Sequence, residues 1–460
     1  MSMLLLSQAA AAIGADLVGP DVAFDAVTTD SRSAGAGDLF IALKGERFDG
    51  HQFVATALAQ GAVAALVERG TILAPGFSAL LVADTRIALG QLAAFWRSRF
   101  AIPVVAVTGS NGKTTVKEML ACILRAALTP EEAAAGMDVL ATKGNLNNDI
   151  GLPLTLLSLR ATHRYAVIEM GMNHPGEISY LTRIAKPDVA LINNAHAAHL
   201  EGLASVEQVA RAKGEIFEGL SADGCAVINA DDAFAGLWRE LAGARCTIPF
   251  GVEHPAQVTA TFKLDVHGSE LALHTPQGDC ALTLQVPGMH NVRNALAATA
   301  AAVALGISLA AIAAGLTQFA GVKGRLQRKP GLHGATLIDD TYNANPGSVR
   351  AAIAVLAAAP GKRLLVLGDM GELGPEAAQM HRQIGEQAKH AGVDMLFALG
   401  DLSRHAAESF GAGGRHFERI QELLAEVENL LAPDVTVLVK GSRFMQMERV
   451  VKSFEVGSEC

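Results

Sequence analysis

A chain of 460 residues is too long for one ordinary core and divides into about two to four domains. Half of the residues are hydrophobic and only 18% are charged, which excludes general disorder. The net charge of −9, from 37 basic and 46 acidic residues, argues against a protein that coats nucleic acid.

The apolar run over 1–7 lacks the basic start of an export signal and passes into the amphipathic pattern of a short helix. The first block, to about residue 100, alternates short strands such as 38–43 with Ala-rich helices and ends in an aromatic and basic helix over 91–100. The second block opens at 102–108, a continuous apolar run typical of a strand covered on both faces. Further strands are expected at 165–169, 188–193 and 225–229 with helical patterns between them, so a mostly parallel sheet is expected. From 295 to 316 no residue is charged, and the stretch is long enough to span a bilayer. Most of it is alanine, which supplies little apolar area, and Gly306-Ile307-Ser308 reads as a helix stop followed by a new N-cap. Two buried helices are expected there, closing the block near residue 320. The third block places strands at 335–339, 363–368, 395–400 and 435–440 with helices between them, a small doubly wound domain. The glycine- and base-rich run 321–334 leaves its start open. Five cysteines, Cys122, Cys225, Cys246, Cys280 and Cys460, form no CxxC pair and read as reduced thiols of a cytoplasmic protein, not as a zinc site.

The strongest local signal is Thr108-Gly-Ser-Asn-Gly-Lys-Thr-Thr115, directly after a predicted strand and before a helical run over 116–128. Its glycines let backbone N–H groups turn inward around phosphate oxygens, and the helix start adds partial positive charge. Lys113 can reach the terminal phosphates, and the Thr114 hydroxyl can join a Mg²⁺ shell. Val107 stands where the full GxxxxGK[ST] pattern has its first glycine, and a glycine-rich turn without a ligand is the plainer alternative. Glu169, closing a neighbouring strand, suits a metal- or water-orienting carboxylate; an ordinary salt-bridged glutamate is its alternative. No NKxD base-reading run is present, and motor-type ATPases usually carry aspartate at that strand end, so both of those classes lose ground.

The phosphate loop resembles that of the Mur ligase family, which tolerates the missing first glycine. The resemblance extends to Asn193-Asn-Ala-His-Ala-Ala-His-Leu-Glu-Gly202, Ala212-Lys-Gly-Glu-Ile216, His290-Asn-Val-Arg-Asn-Ala-Leu296, Gly324-Arg325 and Asp339-Asp-Thr-Tyr-Asn-Ala-Asn-Pro346. Lys143-Gly-Asn-Leu-Asn-Asn-Asp-Ile-Gly-Leu-Pro153, Gly368-Asp-Met-Gly-Glu-Leu-Gly374 and Lys440-Gly-Ser-Arg443 narrow it to the branch that adds D-alanyl-D-alanine to UDP-N-acetylmuramoyl-tripeptide. The sister that adds a diamino acid carries an Asp-Asn-Pro-Arg or Asp-Asn-Pro-Lys run, which this chain lacks.

The resemblance implies an α/β protein of three domains: a smaller N-terminal α/β domain for the UDP-substrate (1–100), a central P-loop ATPase domain with a mostly parallel sheet (101–320) and a C-terminal Rossmann-like domain (321–460). It also implies a ligase of peptidoglycan precursor synthesis that uses ATP and Mg²⁺ and works through an acyl phosphate. A cytoplasmic monomer without membrane insertion or nucleic-acid partner is expected. The rivals are a sister ligase with a different amine, a folylpolyglutamate synthetase-like ligase, and a non-catalytic ATP-gated binder. The UDP-like first block argues against the second, and joint retention of Lys113, Glu169, His199 and Lys213 argues against the third.

Carried over residue by residue, the resemblance implies that Gly109, Ser110, Asn111, Gly112, Lys113, Thr114 and Thr115 cradle the phosphates. It implies one metal on Thr114 and Glu169, and a second reached by His199, with His196 the weaker candidate. Lys213 would join the metal ligands if carbamylated, and Lys113, His199 and Lys213 form the catalytic set; on its own, Lys213 reads as part of a solvated helix face. Asn291 and Asn294 would read adenine, with N-capping as the alternative, Arg325 would contact the γ-phosphate, and Asp340 and Asn345 would lie near ribose and phosphates. Ser31, Arg32 and Lys44 have the chemistry for a UDP moiety, and Asn145, Asn147 and Asn148 for the sugar–peptide channel, against the alternative of polar turns. A site completed by a separate domain implies closure on ATP binding.

Overall fold

The computed structural model describes residues 2–45, 48–73, 76–197, 203 and 205–457. The long sheets follow from apolar runs flanked by helices. In the central unit six parallel strands stand in the order Cys246–Phe250, Cys225–Asn229, Val189–Ile192, Val104–Thr108, His163–Glu169, Asp138–Ala141. Every residue of Val104–Thr108 is buried, as a middle strand covered on both faces requires. The helix Lys113–Ala126 leaves its end, so Thr108 to Lys113 turn at the carboxyl edge of the sheet, where ligands of open α/β sheets collect.

The N-terminal unit holds a five-stranded sheet, Asp16–Val18, Ser78–Val82, Ala64–Glu68, Asp38–Ile41, Ala26–Thr28, parallel except for its first edge strand. The helix expected over 91–100 begins earlier, at Thr85, because the Asp84 carboxylate accepts from the N–H groups of Arg86 (2.8 Å) and Ile87 (3.0 Å). Leu89, Leu92 and Trp96 of this helix belong to one apolar cluster with Leu39 and Ile41 on one side and Leu152 and Leu156 on the other. The N-terminal and central units therefore share a continuous core.

The C-terminal unit has its own clusters on the two faces of a six-stranded sheet, Gln327–Pro330, Thr336–Asp340, Val435–Lys440, Lys362–Gly368, Met395–Leu399, Gly414–Phe417. Only Gln327–Pro330 runs antiparallel; it lies within the glycine- and base-rich run, whose polar composition gave no strand pattern. The bonds from this unit to the central one are polar: Arg325 to Thr114, Asn345 to Asn111, and Arg328 to the Val266 carbonyl. A junction of that kind permits relative motion far more readily than a shared apolar core.

The uncharged stretch forms two helices, Met289–Ala304 and Leu309–Gln318, broken where Gly306 takes φ +72° and the Ser308 hydroxyl accepts from Ala311 N at 3.3 Å. Among the described residues no helix is long and apolar enough to cross a membrane. A three-stranded antiparallel sheet, Thr259–Leu264, Ser269–Thr275, Gly278–Leu284, packs beside them and has no counterpart in the expected elements. Its strands alternate buried and exposed positions over short polar-rich runs, a weaker signal than the apolar strands give. Cys225 and Cys246 are free thiols on adjacent strands with their sulfurs 3.0 Å apart, Cys122 and Cys280 are free, and Cys460 lies outside the described residues.

Candidate active site

The phosphate loop is gripped from below by asparagines of two other elements. Asn193 Nδ2 donates to the Asn111 carbonyl (2.9 Å) and to Asn294 Oδ1 (3.0 Å), and Asn194 Oδ1 accepts from Asn111 N (2.8 Å). The Ser110 hydroxyl exchanges hydrogen bonds with the backbone of His196. Gly112 takes φ +80°, and a Cβ there would stand 2.4 Å from Asn294 Oδ1 and 2.5 Å from Asn193 Nδ2, so only glycine lets the loop settle on these amides. Lys113 Nζ folds back to donate to the Gly109 carbonyl at 2.7 Å. Burial pushes its ammonium down, and the nearby Glu169 carboxylate opposes that shift.

Thr114 is the point where the units meet. Its hydroxyl donates to Glu169 Oε2 (2.9 Å) and accepts from Arg325 Nη2 of the C-terminal unit (2.9 Å). Glu169 is 2% exposed and takes a second bond on Oε1 from Asn147 Nδ2 at 2.8 Å. Hydroxyl and carboxylate oxygens side by side suit a hard cation such as Mg²⁺. Arg325 lies over the Tyr342 ring at 4.3 Å, and Asn345 Nδ2 donates to Asn111 Oδ1 at 2.7 Å while Asn345 Oδ1 caps the helix Pro346–Ala357. Asp340 Oδ2 pairs with Lys440 Nζ at 2.6 Å, and its Oδ1 accepts from Leu326 N.

These groups line one cleft of about 2060 Å³ between the central and C-terminal units. Ser110 to Thr115, Asn145, Asn147, Asn148, Glu169, Asn291, Asn294, Arg325, Asp340 and Asn345 all border it. Asn291 and Asn294 are buried at the start of Met289–Ala304 and cap nothing; Asn291 donates to the Pro287 carbonyl, and Asn294 Oδ1 is held by Asn193. Ser31, Arg32 and Lys44 do not border this cleft. They sit on the N-terminal unit, where Arg32 pairs with Asp30 at 2.6 Å and lowers that carboxyl to about 2. His199 lies outside the described residues. Lys213 is 2% exposed, and its ammonium makes no hydrogen bond or ion pair among the described residues. Burial, reinforced by Lys113, holds its amine well below the usual lysine range. The solvated helix face that its local sequence suggested is therefore not where it sits.

Three contributors were not foreseen. Lys117 and Thr142 stand behind Glu169, and Arg86 of the N-terminal unit pairs with Asp149 of the central one. The sequence held a signal for the first: Lys117 falls on the helix stripe shared with Thr114, Ala121 and Leu124, all buried.

His290 also borders the cleft, where burial and the Lys440 and Arg293 cations push its imidazole from 6.5 down to about 4. Above pH 6.5 the ring is neutral folded and unfolded, and its contribution is fully present. Between 6.5 and 4 the unfolded chain binds a proton that the folded chain refuses, so stability is lost as pH falls through this window. Because the ring is partly open to the cleft, a loss on the order of 2 kcal/mol is expected. Denaturant titrations at several pH values check it: His290→Gln should flatten that part of the profile, and an unchanged slope would refute the assignment.

Three family models match the chain: the Mur ligase family catalytic domain over residues 23–97, the Mur ligase middle domain over 107–302, and the Mur ligase glutamate ligase domain over 324–443. The chain is 45% identical over 464 residues to the UDP-N-acetylmuramoyl-tripeptide–D-alanyl-D-alanine ligase of Escherichia coli (strain K12), covering 100% of both. Its fold is similar to a crystal structure of MurF from Acinetobacter baumannii, at TM-score 0.90 and 40% identity over 97% of each chain. It is also similar to the MurF ligase from Thermotoga maritima in complex with ADP, at TM-score 0.81 and 30% identity over 93% of this chain and 96% of that one.

Proposed function

The chain belongs to the Mur ligase family, and on that premise we propose that it joins D-alanyl-D-alanine to UDP-N-acetylmuramoyl-tripeptide, with ATP and Mg²⁺, in peptidoglycan precursor synthesis. The observation that carries the catalytic reading is the Thr114 hydroxyl held between Glu169 and Arg325, a carboxylate and a guanidinium from different units meeting on the phosphate loop.

The loop backbone and Lys113 hold the β- and γ-phosphates of ATP, and Arg325 neutralises charge on the group transferred. Thr114 and Glu169 would hold Mg²⁺, which would supply charge neutralisation for the phosphates. The tripeptide carboxylate accepts the γ-phosphoryl group, the dipeptide amine attacks the resulting acyl phosphate, and phosphate leaves. The protein's work is to bring three reactants together and to keep water from the activated acyl group. Burial and the nearby Lys113 hold the Lys213 amine well below the usual lysine range, which favours the uncharged form that adds carbon dioxide to become an anionic ligand, and with His199 it completes the catalytic set. Asn291 and Asn294 lie where an adenine would rest, Asp340 and Asn345 toward ribose and phosphates. Asn145, Asn147 and Asn148 face the sugar–peptide channel, and Ser31, Arg32 and Lys44 take the uridine end. The polar junction lets the C-terminal unit close on ATP.

The test is phosphate release from ATP with UDP-N-acetylmuramoyl-tripeptide present, comparing D-alanyl-D-alanine, a panel of single amino acids, and no amine. Sustained release only with the dipeptide, and a product heavier by that dipeptide, is expected. Release with a different amine would move the chain to a sister activity, and no release with any pairing would overturn the ligase reading.

A further inference from the structure

Lys117, a charged side chain of the central unit, does not border the cleft and yet is wholly enclosed. Lys117 is 0% exposed on the helix that leaves the phosphate loop. A buried ammonium is costly unless it is paired, and an apolar side chain on the same buried stripe would pack without that cost. The partners of Lys117 show what the charge is used for. Its Nζ donates to the Thr142 carbonyl at 2.5 Å and pairs with Glu118 Oε1 at 2.6 Å.

Thr142 is 1% exposed and follows the strand Asp138–Ala141. Its own N–H donates to the Val167 carbonyl at 3.1 Å, and its hydroxyl accepts from Glu169 N at 2.9 Å. It also leads into the loop whose Asn147 side chain donates to Glu169 Oε1 at 2.8 Å and whose Asn147 carbonyl accepts from Gly171 N at 2.8 Å. The Glu169 backbone and one carboxylate oxygen are thus both fixed by the segment that Lys117 anchors, while the other oxygen faces Thr114.

We propose that Lys117 is a positioning residue for Glu169: through Thr142 it sets the depth and direction at which this carboxylate meets the nucleotide-bound Mg²⁺. The inference rests on the reading of Glu169 as a metal ligand. Ligating carboxylates depend on the hydrogen bonds behind them, and loss of such support costs about 10–100-fold in metal affinity.

The experiment uses the full chain and fluorescently labelled ADP titrated with Mg²⁺, together with binding measured in EDTA and thermal melting as a check on folding. In Lys117→Met and Thr142→Val, the Mg²⁺ concentration for half-maximal enhancement of ADP binding should rise about tenfold or more, with affinity in EDTA within about twofold of wild type. Thr142→Ser, which keeps the hydroxyl, should behave as wild type. A merely structural role would lower the melting temperature without moving the Mg²⁺ requirement, and that result overturns the proposal. Should Lys117→Met fail to fold, Lys117→Gln takes its place: a wild-type Mg²⁺ requirement there, or equal Mg²⁺ requirements in the Thr142 valine and serine variants, sinks the proposal. Glu169→Gln is the reference: if it leaves the Mg²⁺ dependence intact, the metal reading fails instead, independently of Lys117.

Discussion

Lys113→Ala is expected to lower kcat/KM for ATP by about 10³-fold or more, equivalent to about 4 kcal/mol of transition-state stabilisation. The lysine is half-buried where it borders the cleft and sits near Glu169, so its charge acts where water screens less than at an open surface. Among the described residues its only hydrogen bond is to the Gly109 carbonyl at 2.7 Å, so removing it should cost the fold about 1 kcal/mol or less. The expected signature is a folded protein with near-wild-type melting that releases no phosphate. Lys113→Arg should not restore turnover, because a planar fork cannot take the place of a compact ammonium in a loop that closes back on its own carbonyl. Near-normal turnover in Lys113→Ala would overturn the catalytic assignment.

What could be read in the sequence follows from where the physics is local. Val104–Thr108, Cys225–Asn229 and Val435–Lys440 are wholly buried and mostly apolar because both faces are covered, and their boundaries are visible in composition. The phosphate loop and the Gly306–Ser308 break are equally local, since each depends on a glycine conformation or a cap within a few residues. The asparagine grip on the loop is not local. Asn193 and Asn194 hold Asn111 from 82 and 83 residues away along the chain, and Asn294 holds Asn193 from 101 residues away; an amide carries no pattern that names its partner. Lys117 and Thr142 escaped for the same reason: the burial of one and the hydroxyl acceptor of the other acquire meaning only once Glu169 lies beside them. Arg86 and Asp149, paired across two units, are polar residues near helix starts in any one-dimensional reading. Gln327–Pro330 failed as a strand signal because an edge strand buries too little to need an apolar pattern.

Arg325→Ala is the second large effect. The side chain is aimed by its surroundings: Gly324 at φ +72° and Leu326 at φ +52° place it between two left-handed residues, and Leu326 N is tied to Asp340. A non-glycine residue in that region is held there only when its neighbours over-determine it. The guanidinium is then fixed over Tyr342 with one nitrogen on Thr114, while its buried Nε has no hydrogen-bond partner among the described residues. An arginine held in this way at a phosphoryl group is worth about 10³-fold or more in turnover. Arg325→Ala should therefore lower kcat by about that factor while the KM for ATP changes much less, because the loop and Lys113 still bind the nucleotide. Arg325→Lys should recover little, since it lacks the second arm and the flat face that stacks on Tyr342. Lys440→Met should fall between, loosening Asp340 and with it Leu326 without removing the guanidinium. Steady-state kinetics on the three variants separates these roles; an Arg325→Ala enzyme within about threefold of wild type would remove the C-terminal unit from the chemistry and leave it only the amine to bind.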